Sequence, residues 1–114
     1  MKNLIIGIVL CALLHICVWF SINLQLLGGK WVDRGLIIAM ILSVPTSCIG
    51  FYATKHLCEY ADGSAWSARF VGFGVSYLVF PILTWAILGE SMFTAKVMIC
   101  ILLSFIIMAV QIFY

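Results

Sequence analysis

The sequence predicts an all-α membrane protein, a four-transmembrane-helix antiparallel bundle, and three observations carry that reading. Hydrophobic residues make up 66% of the 114 and charged residues only 9%, with a mean hydropathy of +1.26. Four apolar runs follow one another, each near the ~20 residues that cross a hydrocarbon core of about 30 Å. The links between them are short. A soluble domain carries about a quarter charged residues, and a chain this short buries only part of its surface, so lipid is the expected solvent. Backbone polar groups cannot go unpaired in lipid, which makes each run a helix. Short links then force consecutive helices to run antiparallel.

The first helix is expected over 4–27, just after Lys2. Its apolar run is too long for the core of a signal peptide and no small-x-small cleavage pattern follows it, so this helix is expected to be retained. Gly28-Gly29 then begins a turn carrying Lys30, Trp31 and Arg34, cations and an aromatic suited to the headgroup level. The second helix is expected over 36–54. The longest polar link follows, holding His56, Glu59, Asp62 and Gly63. The third helix is expected over 68–88, with its apolar run starting at Phe70, and Gly89-Glu90-Ser91 makes a tight hairpin into the fourth, over 92–114. All of 1–114 reads as a single membrane domain, expected in a cell inner membrane.

Several function classes drop out. A net charge of +2, scattered along the chain, offers no footprint for nucleic acid. Cys11, Cys17, Cys48 and Cys100 lie inside apolar runs, where cysteine behaves as a small hydrophobe, and Cys58 has no partner in its link, so no disulfide is expected. Cys11 and His15 share a helical face and form a nominal metal set with His56 and Cys58, but the second pair is expected at the far end of the bundle. No metal or other cofactor is therefore predicted. The spacing of His56, Glu59 and Asp62 matches no catalytic motif, and the chain is not expected to be an enzyme.

Charge leaves the orientation open. With four spans, Lys2, Lys55 and Arg69 share one side while Lys30, Arg34 and Lys96 share the other. Three cations against three give the positive-inside bias nothing to act on. Two explanations stand: packing or a partner fixes the topology, or copies insert both ways up and pair antiparallel.

Helical spacing marks out faces. In the second helix Ser43, Thr46, Ser47, Gly50 and Thr54 recur at steps of three and four, a small and hydroxyl-bearing stripe suited to close helix contact. Pro45 lies in the same helix and leaves a carbonyl about one turn earlier without its donor, so this region is either a packing face with a kink or the lining of a polar path. In the first helix Cys11, His15, Trp19 and Asn23 follow at steps of four. His15 is the only ionisable side chain deep in any span, either a functional group or a neutral imidazole bonded to a neighbouring helix. In the third helix Gly74, Tyr77, Pro81 and Thr84 share a face, with Gly74 expected to permit close packing. The fourth is nearly free of polar residues before Ser104 and Gln111, as for a helix that meets lipid or an identical partner.

Trp85-Ala86-Ile87-Leu88-Gly89-Glu90 resembles the W-x-x-x-G-E signature closing the third helix of the drug/metabolite transporter superfamily. Gly63-Ser64-Ala65-Trp66 is similar to the G-x-A-aromatic start of that helix, and Gly72-Phe73-Gly74 to its glycine-rich midpoint. Val44-Pro45 with Ile49-Gly50 resembles a VP…IG pattern in a four-helix branch of the superfamily. The resemblance covers the four-helix layout, with motif matches from about Val44 onward. It implies a small transporter working as a dimer in the lipid bilayer. In the small multidrug resistance proteins a carboxylate in the first helix exchanges protons for cationic substrates. His15 occupies the corresponding position here, and the first span holds no Asp or Glu. Transport of an unknown small metabolite, rather than of a cationic drug, is thus the expectation, along a path lined by His15, Asn23, Ser47, Trp66 and Tyr77. The alternative is a non-transporting accessory or structural subunit of a larger membrane complex, which the absence of a soluble domain suits equally.

Overall fold

A computed structural model describes residues 1–113 as four main helices, with no strand among the described residues. They are α1 (Lys2–Asn23), α2 (Lys30–Tyr60), α3 (Ala65–Leu83) and α4 (Ala95–Phe113). A 3-10 turn, Leu24–Leu27, continues α1, and a π-helical turn, Thr84–Leu88, continues α3. With those turns included, all four helical segments are long and apolar enough to cross a membrane.

The helix ends differ from the hydropathy boundaries in an instructive way. The second helix, expected over 36–54, runs for 31 residues from Lys30 to Tyr60. Hydropathy marks only the stretch that lipid can solvate. Lys, Arg and Glu are good helix formers, so the polar flanks stay helical until a breaker intervenes. Those breakers are Gly28 and Gly29 before the helix and Asp62 and Gly63 after it, all at positive φ. The third helix starts at Ala65 because the Ser64 hydroxyl caps it, accepting from the Ser67 N–H at 3.2 Å. The fourth starts at Ala95, not 92, for the same reason. Thr94 Oγ1 accepts from the Val97 N–H at 3.3 Å, while Ser91 Oγ takes the Phe93 N–H within the link. The predicted end at Tyr114 lies outside the described residues.

Packing is uneven. α1 lies against both α2 and α3, α2 and α3 touch each other, and α4 packs chiefly on α3. Gly7 of α1 faces Leu57, Leu14 faces Gly50, and Gln25 faces Gly35, so numbers fall along α2 as they rise along α1. The molecule measures 46 × 36 × 19 Å, about two helix diameters in its thinnest direction. Its core is small: Leu4, Cys11, Ala53, Leu57, Ala68, Val71 and Val75. All belong to the first half of α1, the last third of α2 and the first two-thirds of α3.

Two close approaches depend on a missing side chain. A Cβ on Gly7 would sit 2.5 Å from Leu57 Cδ2. A Cβ on Gly74 would run into the Met108 side chain and come within 3.4 Å of the Ser104 carbonyl oxygen, which is how α4 reaches the α3 backbone. Ser104 is buried there, its hydroxyl donating to the Cys100 carbonyl at 2.9 Å.

Candidate functional site

The sequence places one polar stripe on α1, and α3 answers it with two partners. The His15 Nε2 lies 3.1 Å from the Gly72 carbonyl oxygen. A carbonyl only accepts, so Nε2 carries the hydrogen and Nδ1 keeps a lone pair in the neutral ring. One turn on, the buried Trp19 indole N–H donates to Thr84 Oγ1 at 3.0 Å. Thr84 opens the π-helical turn three residues after Pro81, where the proline has already removed one backbone donor.

Beside His15 the three helices leave a cleft of about 470 Å³. α1 contributes Cys11, Leu14 and His15; α2 contributes Gly50, Ala53, Thr54 and Leu57. The α3 wall is Ala65, Ala68, Arg69, Gly72 and Phe73. Small residues on all three walls keep it open. The Arg69 guanidinium lies 4.4 Å from the centre of the Phe73 ring, a cation–π contact that holds it along the wall. No carboxylate lines the cleft among the described residues. An open groove along the outer side of α2, lined by Ser47, Gly50, Phe51, Thr54, Lys55 and Cys58, adjoins it through Gly50 and Thr54.

Of the five expected path residues, the structure brings only His15 into the cleft. Ser47 lies in the adjoining groove. Asn23 is buried at the end of α1, away from both. Trp66 and Tyr77 are 74% and 55% exposed and line neither space. They belong to an exposed stripe of α3 with Phe70 and Phe80, with Trp66 stacked on Phe70 at 5.9 Å; Phe73, also on this stripe, borders the cleft.

The hydroxyl stripe of α2 does not meet another helix as a unit. Ser43, Ser47 and Thr54 are exposed, Thr46 and Gly50 are half-buried, and the most buried positions of this stretch are Ala53 and Leu57. The Ser43 hydroxyl turns back on its own helix, donating to the Met40 carbonyl at 2.6 Å. Thr46 Oγ1, just after Pro45, is buried with no hydrogen-bond partner among the described residues.

Sequence reasoning missed Arg69 and Phe73 as cleft residues, whereas Thr54 belongs to the α2 stripe for which the lining of a polar path was one of two readings. The one available signal was Arg69 itself, an arginine at the start of an apolar run. Periodicity cannot show that its neighbours face inward. The four residues Cys11, His15, His56 and Cys58 do not assemble. His56 Nδ1–H instead donates to Asn3 Oδ1 at 3.0 Å, and no metal-binding group forms among the described residues. The Trp85–Glu90 segment forms the corner between α3 and α4. Trp85 meets Phe93 edge-on at 5.3 Å, and Glu90 borders a pocket of about 130 Å³ with Pro81 and Thr84.

No protein-family model, curated protein or solved structure matches this chain.

Proposed function

We propose that the chain is a small membrane transporter, a four-helix antiparallel bundle that binds a small metabolite in the α1–α2–α3 cleft and moves it across the bilayer as a dimer. The observation that carries this reading is the cleft itself. A space of about 470 Å³ bordered by an imidazole, a hydroxyl and a guanidinium lies between helices that are otherwise apolar. Intramembrane polar groups are costly and gather at ligand and ion pathways. The likeness of Trp85–Glu90 and Gly63–Trp66 to drug/metabolite transporter signatures supports the same reading. The balance of cations between the two ends suits a dimer of oppositely inserted copies in a cell inner membrane.

His15 takes a positioning and proton-accepting role, with its Nδ1 available while Nε2 is tied to Gly72. Pro45 and Pro81 each remove a backbone donor within α2 and α3, and Gly50 lets Leu14 of α1 come close, features that suit rocking helices. Purified protein in vesicles, challenged with labelled small metabolites of anionic, neutral and cationic classes, tests this. Accumulation of at least one class is expected, lost in His15→Leu and kept in His56→Ala.

The second reading, a subunit of a larger complex, is favoured by one observation. The first half of α2 leaves Leu36, Met40, Ile41 and Val44 at least 64% exposed, an apolar face with room for a second protein. No accumulation of any class, together with a stoichiometric second protein after mild extraction, would decide for it.

A further inference from the structure

The cleft is charged in one sense only. Among its lining residues Arg69 is a permanent cation, His15 is neutral or cationic, and none is acidic. The nearest charge in the adjoining groove is Lys55, another cation. Among the described residues no salt bridge engages Arg69, which lies against the Phe73 ring. A guanidinium with five donors and no carboxylate partner is equipped to hold a carboxylate or a phosphate in two parallel hydrogen bonds. Thr54, on the α2 wall, adds a hydroxyl that makes no hydrogen bond among the described residues.

The rest of the lining is small or apolar, its larger side chains being Leu14, Leu57 and Phe73. Along α3 the wall runs from Ala65 to Phe73, about 12 Å at ~1.5 Å per residue. Arg69 stands one turn from the start of α3, close to the end of the span, while Leu14 and His15 stand deeper.

We infer that the cleft binds an anionic amphiphile, its acid head on Arg69 and its apolar body between Leu14, Leu57 and Phe73. This rests on the membrane-transporter reading and names its substrate class, opposite in charge to a cationic drug. Two sources share the chemistry, a soluble short-chain acid and a phospholipid headgroup with its chain.

The test uses the full chain in maltoside micelles, with octanoate and octylammonium as probes of equal chain length and opposite charge. Calorimetric titration, corrected by protein-free micelles, is expected to give octanoate about tenfold tighter binding than octylammonium. Arg69→Gln is expected to remove that preference, a loss of about tenfold, and Arg69→Lys to retain part of it. Helical circular dichroism and a monodisperse elution profile check that both variants fold. Native mass spectrometry with added phosphatidylglycerol and phosphatidylcholine separates the sources. A phosphatidylglycerol adduct that Arg69→Gln loses assigns the headgroup, and octanoate binding without an adduct assigns the soluble acid. Octylammonium binding as tight as octanoate overturns the proposal, as does octanoate binding that Arg69→Gln leaves unchanged, or absence of both octanoate binding and adduct. Vesicle accumulation of a cationic or neutral metabolite alongside such a failure would leave transport standing, and octanoate binding without accumulation of any class would remove transport alone.

Discussion

The two halves of α2 belong to one continuous helix and have very different surroundings. From Thr46 to Tyr60 the helix presses Ala53 and Leu57 against α1 and α3 and borders the cleft. From Lys30 to Pro45 only Gly35 is buried, and Leu36, Met40, Ile41 and Val44 point away from the rest of the chain. Both halves are apolar enough to sit in lipid. They differ in what lies opposite: small residues of α1 and α3 in one case, little beyond Gln25 against Gly35 in the other. Lipid is as apolar as leucine, so composition cannot decide which half packs. Shape does.

Four substitutions break or sharpen this contrast. The largest effect is expected at Gly74, on the packed side of the molecule, where α3 and α4 touch through backbone. Gly74→Leu collides with Met108 and the Ser104 carbonyl, and overpacking of this kind costs about 3 kcal/mol. Unfolding in sodium dodecyl sulfate mixtures should register it as an early loss of helix.

Leu57→Ala comes next. In lipid the transfer term largely vanishes, leaving the cavity term, which at about 24 cal/mol per Å³ over roughly 80 Å³ amounts to about 2 kcal/mol. The same denaturation curve reads it. Relief of Leu57 by a matching Gly7→Ala change, which fills space beside it, should return part of that loss.

Trp19→Phe keeps most of the ring and removes the bond to Thr84. Interhelical hydrogen bonds in membranes average about 0.6 kcal/mol, so a loss near about 1 kcal/mol is expected, with Thr84 left unpaired. A loss several times larger would mean that this bond also holds the π-helical turn in place.

Met40→Ala, in the unpartnered half, is expected to change stability by less than about 0.5 kcal/mol. If it costs as much as Leu57→Ala in vesicles but not in dilute detergent micelles, a second molecule covers that half in the bilayer, and the contrast disappears in the assembly.

Much of the architecture was legible in the residues. The apolar runs located all four helices, and the turn residues Gly28-Gly29 and Gly63 located two of the links. The ends were less legible, because a helix extends past its hydrophobic stretch until a cap or breaker stops it. The signals that set them, Ser64 and Thr94 as N-caps, were present and are short. His15 was identified correctly as a polar group in an apolar helix, though its partner turned out to be the Gly72 carbonyl, which has no signature at all. The stripe from Ser43 to Thr54 has two readings in the sequence, a packing face or the lining of a polar path, and in the structure Gly50 and Thr54 border the cleft while Ser43 turns back on its own helix. The buried positions, Gly35, Ala53 and Leu57, lie on a neighbouring stripe, since small hydroxyl residues and small apolar ones are equally able to line a close contact.

The sequence by itself determined that four helices form and that each is apolar enough to cross a membrane, because hydropathy and backbone hydrogen bonding act on every segment separately. Only the tertiary structure decided how each helix is rotated. That rotation put Arg69 and Thr54 on the cleft and left Trp66 and Tyr77 facing outward. Rotation follows from complementary shape across pairs such as Gly7 with Leu57 and Gly74 with Met108, and no single helix contains both sides of such a fit.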